Sequence, residues 1–109
     1  MLLKMARSIY ERKAQKELQE EGYIVDYKTR PFRVPKGYKV DFFGRFDLMA
    51  VKLGSPLRWI SIKGHAGVPK KHRTEVEQFW LPDGNQKEIW DWRKRLGWKK
   101  EVYRDGGWI

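Results

Sequence analysis

The sequence predicts a three-layer α/β domain: a central mixed sheet of four to five strands flanked by two helices, in the order α-β-β-β-α-β. Three observations carry that expectation. A chain of 109 residues fits one domain. A helix-period pattern opens it, and three β-rich runs follow, joined by turn-forming residues. A second helical pattern then separates the third run from the last one or two. Strands linked by short turns form an antiparallel meander, whereas a strand that follows a helix can return parallel by crossover.

Ser8 to Glu21 reads as the first helix. Ser8 and Glu11 fit a capping box, Tyr10, Ala14 and Leu18 form an apolar stripe, and Gly22 ends it. Tyr23 to Tyr27 is the first strand. Thr29 to Lys39, with Pro31, Pro35 and Gly37, is a basic loop or hairpin tip. Val40 to Val51 reads as a second strand interrupted at Gly44, and Arg58 to Lys63 as a third, across the turn Gly54-Ser55-Pro56. Gly64 to Lys71 is a basic loop, with Pro69 suited to a first helical turn. His72 to Trp80 reads as the second helix, with Val76, Phe79 and Trp80 on one face. Lys87 to Arg93 and Trp98 to Tyr103 are the closing strands. The domain takes in residues 1–109, with 104–109 a loose C-terminal tail.

Lysine and arginine number 24 against 14 acids, a formal charge of +10. Such an excess favours a polyanionic partner, because phosphate contacts release counterions; a solvated basic surface is the plainer account. Without cysteine there is neither a disulfide framework nor a thiolate metal site. Two histidines are too few for zinc without several carboxylates. No apolar run approaches the ~20 residues that span a bilayer, and no signal segment opens the chain. The expectation is a cytoplasmic protein with no membrane partner. Abundant charge and scarce amide side chains lean toward a thermophilic source.

The runs Phe46-Asp47-Leu48-Met49-Ala50-Val51 and Trp59-Ile60-Ser61-Ile62-Lys63-Gly64 hold the candidate chemistry. Side chains alternate across a strand, so Ser61 and Lys63 share one face and Ile60 and Ile62 the other. If the runs are neighbours, Asp47 and Lys63 reach one point at the strand ends. An acid and a lysine there need a partner or a metal. Asp47 as a surface acid paired with Arg45 or Arg58 is the alternative, and Asp41 is its rival on the same run.

On these residues the chain resembles the PD-(D/E)xK nuclease superfamily, the restriction-endonuclease-like fold, and in it the archaeal Holliday-junction resolvases and small virus-type nucleases. The shared pattern is a glutamate on the first helix, an acid on the second strand and an acid-x-lysine on the third. Here these are Glu11, Asp47 and Ser61-Ile62-Lys63, followed by Gly64, with Gly22-Tyr23-Ile24-Val25 leading into the first strand. Ser61 departs from the pattern. One branch of restriction enzymes has the same Ser-x-Lys and takes its missing carboxylate from the following helix. That branch's spacing leads to Glu77, with Glu75 open as the alternative.

The resemblance implies a Mg2+ site, with Mn2+ a possible substitute, held by Asp47, by Glu77 or Glu75, and by the Ile62 backbone carbonyl. It implies that Lys63 orients water or offsets developing charge, and that Glu11 reaches the site from the first helix, unless it serves only as the cap partner of Ser8. Ser61 reads as a small replacement rather than a nucleophile. DNA contact is expected from Arg30, Arg33, Lys36 and Lys39 in the first loop. A second set, Lys70, Lys71 and Arg73, lies where a helix N-terminus already attracts phosphate; His65 is either near a scissile phosphate or a loop residue. The late tryptophans read as core or dimer-face residues. The function implied is a metal-dependent DNA endonuclease, a homodimer, selective for branched or double-stranded DNA in the manner of a junction resolvase. The alternative is a catalytically inactive nucleic-acid-binding module that keeps the fold.

Overall fold

A computed structural model describes residues 9–28, 41–64 and 67–109. The chain is an α/β domain built on one six-stranded mixed sheet and two helices. In chain order these are α1 (Ile9–Glu20), β1 (Ile24–Tyr27), β2 (Leu48–Val51), β3 (Leu57–Gly64), α2 (Lys70–Gln78), β4 (Asn85–Arg93), β5 (Gly97–Arg104) and β6 (Gly107–Trp108). Strands neighbour one another in sequence order. The expected meander is present: β1, β2 and β3 pair antiparallel. The α2 crossover then lays β4 parallel to β3, with Lys63 opposite Asp91 and Gly64 opposite Trp92.

Period-two alternation sorts the apolar residues onto two faces. Ile60, Ile62, Trp90, Leu48 and Ala50 pack with Ala14 and Leu18 of α1. On the other face Phe46 and Ile89 pack with Val76 of α2, ringed by Phe42, Trp59, Phe79 and Trp108. The helix stripe read from Tyr10, Ala14 and Leu18 is thus the buried one. Gly64 is required where α1 meets β3, since a Cβ there would lie 2.6 Å from the Tyr10 ring.

Three expectations are corrected. Residues 104–109 are not a loose tail: β6 pairs with β5, and Ile109 exchanges two 2.9 Å backbone hydrogen bonds with Val102. Trp108 gives this strand an apolar anchor, which brings the sheet to six strands. The second strand does not begin at Val40. Phe43 and Gly44 both take left-handed backbone, φ 59° and 68°, the pair that a tight type I′ turn requires. The turn is closed by Arg45 N–H on the Phe42 carbonyl at 3.0 Å. Contacts of the Phe43 ring with Trp59 and Phe79 hold this strained residue in place. The second helix starts at Lys70, with Pro69 as its N-cap rather than in its first turn, and ends before Phe79. Trp80 consequently stands 79% exposed instead of joining the Val76 face.

Lys87 holds the α2 C-terminus. Its ammonium donates to the carbonyls of Val76, Glu77 and Phe79 at 2.8, 2.9 and 2.8 Å, where the helix leaves acceptors without intrahelical donors. Among the described residues no helix is long and apolar enough to cross a membrane.

Candidate functional site

Asp47 is placed by the ladder between β2 and β3. Its amide donates to the Ile60 carbonyl at 2.9 Å, continuing the register in which Leu48 faces Ile60. Two residues farther along β3, the Ile62 amide donates to Asp47 Oδ2 at 2.7 Å. The carboxylate thus takes the place of a strand carbonyl where β2 begins. In a strand a residue's N–H and C=O project to the same side, so the Ile62 carbonyl also projects toward Asp47.

Burial raises the Asp47 carboxyl from 3.8 to about 6; the Ile62 hydrogen bond and the Lys63 charge oppose this rise, and Asp41 adds to it. Asp47 precedes the first residue of β2 and Lys63 lies near the end of the antiparallel β3. The surface ion-pair alternative is set aside. Arg45 donates to the Phe43 carbonyl at 2.8 Å, and Arg58 grips Glu88 at 2.6 and 2.8 Å.

The Asp41 charge adds to the rise of the Asp47 carboxyl. Asp41 Oδ1 is enclosed without a hydrogen-bond partner. Glu77 is turned elsewhere: its Oε2 accepts from Trp108 Nε1 of β6 at 2.7 Å. Glu75 is half-buried, one position before the buried Val76. Among the described residues no three of His, Asp and Glu converge as a metal site. Mg2+ needs no more than two carboxylates, because it keeps several waters. The enclosed, unpartnered oxygen of Asp41 and the desolvated carboxyl of Asp47 are acceptors of the kind a small hard cation takes.

Ser61 is fully buried, and its Oγ lies 2.7 Å from His72 Nε2 on α2. Sequence reading placed His72 only at the start of the second helix; the α2 crossover brings it against Ser61, which shares a strand face with Lys63. Asp91 is the other residue that sequence reading missed. It lies opposite Lys63 in register, is 1% exposed, and accepts from Arg93 Nε at 2.7 Å. Its Oδ1 is enclosed without a partner. A buried acid inside an apolar strand was the available signal.

Glu11 lies half-buried in the first turn of α1, on the inward stripe with Ala14 and Leu18. Of the expected DNA contacts, Lys70 and Lys71 are exposed at the start of α2. Arg73 is engaged: it donates to Glu101 at 2.9 Å, and its guanidinium sits 4.9 Å from the centre of the Trp108 ring. Arg30, Arg33, Lys36, Lys39, Ser8 and His65 lie outside the described residues. The buried Glu88 is a structural carboxylate, satisfied by Arg58, by Gln86 at 2.7 Å and by Trp90 at 2.8 Å. No protein-family model and no curated protein sequence matches this chain.

Proposed function

We propose that this chain is a metal-dependent DNA endonuclease with a restriction-endonuclease-like arrangement of helices and sheet, selective for branched DNA. The observation that supports this best is the half-buried Asp47, tied to the Ile62 amide at the start of β2 and raised to about 6 by burial against the opposing Lys63 charge. Carboxyls raised by burial cluster at functional sites, and Asp47 is raised chiefly in this way. The excess of 24 basic over 14 acidic residues agrees with a phosphate backbone as substrate.

In this reading Asp47 and Asp41 hold Mg2+, and the Ile62 carbonyl lies within the same corner. Bound there, the ion supplies charge neutralisation at the phosphate and a more acidic water. The Ile62 amide fixes the Asp47 carboxylate, so its direction does not depend on the ligand. Lys63 offsets negative charge developing on the phosphate. His72, held by Ser61, stands on the Lys63 face as a proton acceptor in place of the missing third-strand acid. A homodimer would place the paired cuts that a branched substrate needs.

The inactive binding module is the second reading, favoured by Ser61: its hydroxyl bonds to a histidine where the family pattern has a metal-binding acid. Incubation of supercoiled plasmid and a synthetic four-way junction with Mg2+ or Mn2+ separates the two. The nuclease reading expects cleavage by the wild type, abolished in Asp47→Ala and Lys63→Ala, with Glu77→Gln retaining activity. Junction binding without cleavage in either metal selects the binding module.

A further inference from the structure

Aromatic and basic side chains gather at the ends of β3 and β4. Tyr10 of α1 and Trp92 of β4 wall a cavity of about 370 Å³, completed by Arg93 and Lys94. That volume suits a small planar ligand, since ligand pockets run from roughly 300 to 1,000 Å³. The two rings lie 6.4 Å apart at 35°. Trp92 is backed by the edge of Trp98, 5.1 Å between centroids, so the wall is firmly set. Lys13 stands 4.8 Å from the Trp92 centroid, and Arg93 and Lys94 are exposed at the rim. The cavity is close to the candidate site: Gly64, where an added Cβ would meet the Tyr10 ring, lies opposite Trp92 in register and directly follows Lys63.

We propose that this pocket binds an unpaired DNA base, stacked against Tyr10 and Trp92 while Lys13, Arg93 and Lys94 hold the flanking phosphates. The inference rests on the DNA-directed reading above and gives its substrate a feature: an unpaired nucleotide at a fork, flap or branch. Aromatic walls stack any base through its π-face, and a cationic rim follows the backbone. A paired base cannot enter without leaving its duplex stack, which costs free energy that an unpaired base does not. The pocket therefore discriminates by strand pairing rather than by sequence.

The test is fluorescence anisotropy in EDTA, where no cleavage occurs, with a labelled duplex carrying an unpaired oligothymidine arm and with the same duplex closed and blunt. A 2-aminopurine in the arm reports stacking directly. The wild type should bind the armed duplex about tenfold more tightly than the blunt one, with 2-aminopurine quenched. Trp92→Leu should remove most of that preference and the quenching, and leave blunt-duplex binding within about twofold. Trp92→Phe, which keeps a ring in the Trp98 contact, should fall between, and Lys94→Ser should weaken arm binding without unfolding risk. Equal affinity for the two DNAs, or equal losses on both in Trp92→Leu, overturns the proposal, as does absence of DNA binding. Arm preference in a protein that never cleaves leaves the pocket standing and removes the nuclease reading; cleavage without arm preference does the reverse.

Discussion

Asparagine at position 47 keeps the acceptor for the Ile62 amide and removes the buried charge, so it separates the two contributions of this side chain. The Asp47 carboxyl is raised from 3.8 to about 6, chiefly by burial. A group with a folded pKa above its unfolded value stabilises the fold below the unfolded value and loses that contribution as pH rises through the folded one. Here the window runs from 3.8 to about 6 and corresponds to at most about 3 kcal/mol of stability lost by neutral pH. The bound is an upper one because the residue is only partly buried. Asp47→Asn lacks this dependence. Urea unfolding followed by tryptophan fluorescence should find the variant and wild type equally stable near pH 4. By about pH 8 the variant should be more stable by about 2–3 kcal/mol, or roughly 10 °C in Tm. Titrating groups remote from position 47 cancel in the difference. Millimolar Mg2+ should raise the wild-type Tm above about pH 6 and leave the variant unmoved, since only the wild type binds the ion. A variant less stable than wild type at pH 8, or a gap that does not change with pH, would refute a buried carboxylate held at energetic cost.

Two further substitutions probe the frame that holds this site. Lys87→Met removes three hydrogen bonds to the α2 C-terminus and should cost about 2 kcal/mol, read as a lower urea midpoint with unchanged slope. Gly64→Ala places a Cβ 2.6 Å from the Tyr10 ring and should cost about 1–3 kcal/mol by overpacking. A double-mutant cycle with Tyr10→Ala should recover most of that loss, because the clash has one partner.

Local periodicity made much of the frame legible. The stripe Tyr10, Ala14, Leu18 and the alternation Ile60, Ser61, Ile62, Lys63 each assign residues to a face without knowledge of the rest of the chain. The short turn at Gly54-Ser55-Pro56 made β2 and β3 antiparallel neighbours, and a helix between β3 and β4 made their pairing parallel. Those same local rules put Asp47 and Lys63 at the common end of neighbouring antiparallel strands.

Tertiary structure decided whatever depended on partners distant in the chain. Glu75 and Glu77 flank Val76 symmetrically on a helix, so spacing ranked them without placing either. Only the return of β6 gives Glu77 its Trp108 donor, and only the turn at Phe43 and Gly44 sets Asp41 against Asp47. Ser61 and His72 meet because α2 crosses β3, a relation absent from either residue's neighbourhood in sequence. Strand and helix periods specify which way a side chain faces; what it faces is set by long-range packing, in which every element competes for the same buried surface.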